Sequence, residues 1–113
     1  MNIPYKVGLE EAIAKLSPEK NNRFTTVMQH GTLLVEYYAP LIKDYQTPHS
    51  RDELYIIASG KSSFNRDGIT VYCKAGDALF VPAGMEHKFE NFSDDFATWV
   101  IFYGPEGGEK IRK

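Results

Sequence analysis

The side chains able to do chemistry are few: two histidines, His49 and His87, and a glutamate, Glu53, at the head of an apolar segment. His87 follows the turn Pro82-Ala83-Gly84, and from it the residues alternate, with His87, Phe89 and Asn91 on one face and Lys88 and Glu90 on the other. That is the period of a half-buried strand, so His87 shares its face with Phe89. A histidine so placed is ordinarily hydrogen-bonded filler, and becomes a ligand or proton carrier only where partners stand opposite it. Four residues separate His49 from Glu53, so an extended chain points both toward the face of Tyr55 and Ile57. A carboxylate there loses several kcal/mol of hydration unless it is paired or holds a cation. Arg51 and Lys61 are near enough in sequence to make Glu53 an ordinary ion pair at the strand mouth. Glu36, Asp52 and Glu86 read as surface carboxylates, His30 before Gly31 as a turn residue, and Cys73 as a small buried hydrophobe.

The elements that must position these residues are almost all strands. Leu9, Ala12, Ile13 and Leu16 recur at helical spacing behind Glu10 and Glu11, which predicts a short helix ended by Ser17-Pro18 and followed by a loop at Asn21-Asn22. From Arg23 the chain turns β-branched and aromatic. Strands are predicted near 23–29, 32–39, 53–58, 61–66, 69–73, 78–81, 86–91 and 96–103, separated by glycine, proline and Asx turns such as Asp67-Gly68. Short strands with no helices between them argue an antiparallel sandwich or barrel. The expected division is a lead-in with the helix over 1–22, a β-barrel over 23–104 and a polar tail over 105–113, all one domain.

Composition narrows the partners. Thirteen basic against fifteen acidic residues, net −2, leave no excess to coat phosphates, so no nucleic-acid partner is expected. A single cysteine excludes an internal disulfide. Without a signal pattern or an apolar run near membrane length, the reading is a cytoplasmic protein with no membrane partner.

The segment around His87 carries a family pattern. Gly76, Pro82, Gly84, His87 and Asn91 match in full the second motif of the cupins, and the chain resembles the small single-domain, type 2 cupins. The first cupin motif is matched at His49, Glu53 and Gly60, whereas Leu41 stands at its leading glycine and Thr47 at its first histidine. The resemblance implies an all-β double-stranded β-helix, a jelly-roll barrel with a metal held inside. Carried over by residue, the ligands are His49, Glu53 and His87. The fourth ligand of the family is missing here, and Thr47, Gln46 or Asp52 is left to take its place. Two histidines and a carboxylate suit iron, manganese, nickel or zinc, with positions open to a small molecule.

Strand phase places Tyr55 and Phe89 at such a pocket, with Trp99 or Tyr103 beside them. Two functions follow: a metal-dependent enzyme on a small organic molecule, as dioxygenase, isomerase or lyase, or a cupin that binds or senses a small ligand without turnover. A homodimer is expected, because the apolar helix 9–16 and the strand 23–29 need cover.

Overall fold

The structure, a computed structural model, describes residues 5–16 and 23–110. The readings at Ser17-Pro18 and Asn21-Asn22 lie outside the described residues.

One short helix, α1 (Leu9–Lys15), precedes eight strands: β1 (Phe24–His30), β2 (Leu33–Tyr38), β3 (Asp52–Ser59), β4 (Lys61–Arg66), β5 (Ile69–Lys74), β6 (Ala78–Val81), β7 (His87–Glu90) and β8 (Ala97–Tyr103). All pair antiparallel, in a five-stranded sheet of order β1-β2-β8-β3-β6 and a three-stranded sheet of order β5-β4-β7. This is the expected all-β two-sheet architecture of a double-stranded β-helix. β7 stops at Glu90, one residue short of the expected end, because Asn91 takes φ of 53°, a left-handed conformation that breaks the pleat and that Asn tolerates better than most residues.

Two cores hold the sheets. Between them lie Tyr55, Ile57, Phe64, Cys73, Val81, Phe89, Phe96, Val100 and Phe102. Each large ring buried there contributes about 1.5–3 kcal/mol by leaving water, and the rings pack edge to face, with Tyr55 and Phe89 centroids 5.0 Å apart at 82°. On the outer face of the large sheet, Ala12 and Leu16 of the helical segment cover Val27, Tyr37 and Ala97, with Trp99 packed alongside. Of the four apolar helix positions, Leu9 and Ile13 remain exposed at 38% and 52%.

Gly60 shows how closely the strands approach. Its φ is 72°, and a Cβ there would stand 2.7 Å from the backbone Cα of Phe96, so no side chain fits.

Candidate functional site

β3 and β7 belong to different sheets, so Glu53 near the start of one and His87 at the start of the other meet across the roll. The junction is held from outside by backbone donors. Gly84 N–H donates to His49 O at 2.7 Å, and Ala83 N–H donates to Asp52 Oδ1 at 2.9 Å. The Pro82-Ala83-Gly84 turn is thereby fixed against residues 49–52, and Gly84 provides the bend with φ of 79°. Asp52 is a correction to its surface reading: it is buried, and its second oxygen accepts from Glu109 N at 2.8 Å. The polar segment after β8 is accordingly tied to the site-bearing chain, with Gly107 N also donating to Ser50 O at 2.7 Å.

Inside this frame His49 Nδ1 and His87 Nε2 each lie 3.0 Å from the same oxygen, Glu53 Oε1. Glu53 is 1% exposed and is not paired with Arg51 or Lys61. His87 Nδ1 is 2.9 Å from Met85 O, which can only accept, so the ring proton sits on Nδ1 and Nε2 presents its lone pair. A lone pair facing a carboxylate oxygen is repulsive unless a proton or a cation lies between. His87 Nε2 lacks the alignment of a hydrogen bond despite its distance, and Glu53 Oε2 has no partner either. Three candidate ligand atoms thus lie within 4.8 Å of one another, and the two buried ones carry unspent coordination capacity. The donor set fits a divalent transition metal.

Electrostatics agree with the geometry. Burial pushes the Glu53 carboxyl up, but the imidazoles of His49 and His87 close beside it outweigh burial and hold it down to about 2. Burial pushes the His87 imidazole down, yet the nearby Glu53 carboxylate and the hydrogen bond to Met85 O carry it above its ordinary value.

The other expected site residues are dispersed. Tyr55 and Phe89 lie in the core beneath the histidines, Tyr55 with its ring 6.0 Å from that of His87. Trp99 packs on the opposite side of β8 against Tyr37, at 5.5 Å, and does not line the cavity; Tyr103, in phase with it, pairs with Asp52. Gln46 is committed: its Nε2 donates to Asp44 Oδ2 at 2.9 Å and its Oε1 accepts from Tyr55 Oη at 2.8 Å. Thr47 is exposed at the cavity rim.

That cavity, about 820 Å³, opens beside His49 and is lined by Leu34, Glu36, Tyr38, Gln46, Thr47, Arg51, Val100 and Phe102 among others. His49 packs edge-on against Phe102, with ring centroids 4.9 Å apart, and Arg51 lies over the same ring while donating to Thr32 O. Two groups escaped the sequence reading. Asp44, fully buried, accepts from Tyr38 Oη, Gln46 N, Gln46 Nε2 and Phe89 N at 2.6–3.0 Å; its place three residues after Leu41 in an irregular loop carries no periodic signal. Glu36 is on the cavity wall, not the surface, and only the alternation Leu34, Glu36, Tyr38 hinted at it.

Known proteins place this geometry in context. An uncharacterised protein of Streptomyces coelicolor is 38% identical over 63 residues, 56% of this chain and 60% of that protein. The polyketide synthase CurC of Streptomyces cyaneus is 30% identical over 64 residues, 57% of this chain and 41% of CurC. The chain therefore spans less than two thirds of either relative. The crystal structure of a Cupin 2 conserved barrel domain protein from Salinispora arenicola superposes with a TM-score of 0.68 at 22% identity, covering 91% of each chain. The family model for the cupin domain matches residues 38–103, which contain both strand segments that meet at Glu53. By this match over more than half its length, the chain belongs to the cupins.

Proposed function

We propose that this cupin holds a divalent transition metal (iron, manganese, nickel or zinc) on His49, Glu53 and His87 and acts on a small organic molecule in the adjoining cavity. The observation that carries the reading is the His87 lone pair set 3.0 Å from a buried carboxylate oxygen, with the other oxygen unpartnered. Bound there, the cation supplies Lewis acidity toward an oxygen of the ligand and, if redox-active, electron chemistry with dioxygen. The chain's own residues orient and shield. Met85 O fixes the His87 tautomer, while Val100 and Phe102 provide an apolar floor and Arg51 a guanidinium at the wall. The relation to a protein named a polyketide synthase supports an oxygen-bearing carbon skeleton as the ligand.

The fourth family ligand has no firm substitute, since Gln46 is tied to Asp44 and Tyr55 and Thr47 lies at the rim. This favours a metal that leaves positions open to ligand oxygens, and it keeps binding without turnover as the second reading. A thermal-shift screen separates them. Lactate, malate and catechol are expected to stabilise the metal-loaded protein by about 2.7 kcal/mol at a hundredfold excess over Kd, seen as a higher melting temperature, and to leave the metal-free protein nearly unchanged. Consumption of the best of them, with oxygen uptake in the case of a dioxygenase, marks an enzyme. Equal shifts with and without metal would remove the ion from the function.

The protein works as a homodimer in this reading. Exposed Leu9 and Ile13 on α1 and exposed Phe24 on the edge strand β1 support such a contact. Among the described residues no helix is long and apolar enough to cross a membrane. Light scattering at micromolar concentration is expected to return twice the mass of one chain, and a single-chain mass would refute the dimer.

A further inference from the structure

Glu36 sits in the interior of β2 on the cavity wall, half-buried, with no hydrogen-bond or ion-pair partner among the described residues. Its place follows from register. Leu34, Phe102 and Glu53 form one row across the sheet, and Glu36, Val100 and Tyr55 form the next. Two strands and two residues therefore separate Glu36 from Glu53, which at about 4.8 Å per strand and 3.4 Å per residue sets their Cα atoms roughly 12 Å apart. With both side chains projecting inward over Val100 and Phe102, that span leaves room for one small ring between Glu36 and the His49–Glu53–His87 cluster.

A carboxyl in such a wall is costly to keep. Burial and the Glu53 charge push it up, with His49 opposing them, and no protein donor compensates. Asp44, the fully buried acid of the irregular loop before β3, accepts four hydrogen bonds. The Asp44 carboxylate is satisfied by the fold, whereas that of Glu36 faces the cavity with its acceptor capacity free of protein donors among the described residues.

We infer that Glu36 is a ligand-contacting residue that accepts a hydrogen bond from a hydroxyl of the bound molecule, whose other oxygens face the metal cluster. The class this selects is a compact hydroxylated ring, phenolic or enolic: its ring lies on Val100 and Phe102, and its hydroxyl donates to Glu36. The inference rests on the metal reading proposed above, and the experiment separates the two.

1,2,4-Trihydroxybenzene, kept under argon, is a suitable reporter dye, because two neighbouring hydroxyls can face the metal while the third, across the ring, keeps its proton for Glu36, and its absorption changes on chelation. Titrated into the zinc-loaded protein at pH 7, it is expected to bind the wild type and to bind Glu36→Gln about tenfold more weakly, as a charge-assisted bond becomes a neutral one. Zinc affinity itself is expected to stay within threefold. Glu36→Leu is expected to weaken the dye at least as much and to raise the melting temperature of the metal-free protein, since an uncompensated carboxylate leaves the wall. Unchanged dye affinity in both variants overturns the proposal. So does a tenfold loss of zinc affinity in Glu36→Gln, which would make Glu36 part of the metal site, and so does failure of the zinc-loaded wild type to bind the dye. Failure of the wild type to bind zinc would sink the metal reading instead, and dye titration of the metal-free proteins would then decide on Glu36 alone.

Discussion

Glu53→Gln is expected to lower zinc or manganese affinity by two orders of magnitude or more, roughly 2.7 kcal/mol, while the circular dichroism of the folded protein persists. Glu53 Oε1 is the atom both histidines approach, at 3.0 Å each, and the variant removes the charge that draws them together. His87→Ala is expected to do the same by removing the buried nitrogen. The pH dependence follows from the shifts at these groups. The imidazoles must be neutral to coordinate, and the His87 value is raised above 6.5, so affinity begins to fall above that pH and continues to fall as the solution is acidified. Without metal the sign reverses. A raised imidazole contributes stability that is fully present below 6.5 and is lost as pH rises through the folded value. The depressed Glu53 contributes stability present above 4.5 and lost as pH falls toward about 2. The site therefore stabilises the metal-free protein most between the two, and the metal-induced rise in melting temperature should grow from pH 6 to pH 8. Melting curves with and without zinc across that range check this; a metal effect that is flat with pH would show that the imidazoles are not ligands.

Asp44→Ala should destabilise the protein by about 3–5 kcal/mol, in the range seen when a buried charged partner is removed. Asp44 is completely buried, and its loss strands Tyr38 Oη, Gln46 N and Phe89 N without acceptors. The Phe89 donor has a second consequence. β7 is the edge of the three-stranded sheet, and Asp44 Oδ2 covers the amide that this edge leaves open. The same carboxylate pins the irregular chain before β3, which carries His49, to the strand that carries His87. At about 4–8 °C per kcal/mol for a domain near this size, the melting temperature should drop by well over 10 °C, and metal affinity should fall although Asp44 touches no candidate ligand. Asp44→Asn keeps one acceptor oxygen and should lose less. A melting temperature within 2 °C of wild type in Asp44→Ala would mean that the loop is held by other contacts.

The order of the eight strands, their places to within a residue or so, the short helix, and His49, Glu53 and His87 as candidate ligands are legible in the sequence. These were readable because they depend on local rules. Pro82-Ala83-Gly84 must turn, Asp67-Gly68 must turn, and the alternation from His87 survives in a strand with one apolar face. Which carboxylates lie inside and which aromatics line the cavity depend on how the two sheets close. β2 reads Leu33, Leu34, Val35, Glu36, Tyr37, Tyr38, apolar on both faces, because α1 covers one face and the roll interior the other. A period of two then carries no inside or outside, so Glu36 reads as a surface residue, and its pairing with Val100 sets its phase toward the cavity. β8 is apolar on both faces in the same way, so its pattern allows Trp99 at the pocket although its face packs on Tyr37 beneath the helix. Asp44 and Asp52 lie beyond any periodic argument, since their partners Phe89 and Ala83 are 45 and 31 residues away and hydrogen bonds across such separations exist only once the sheets have closed.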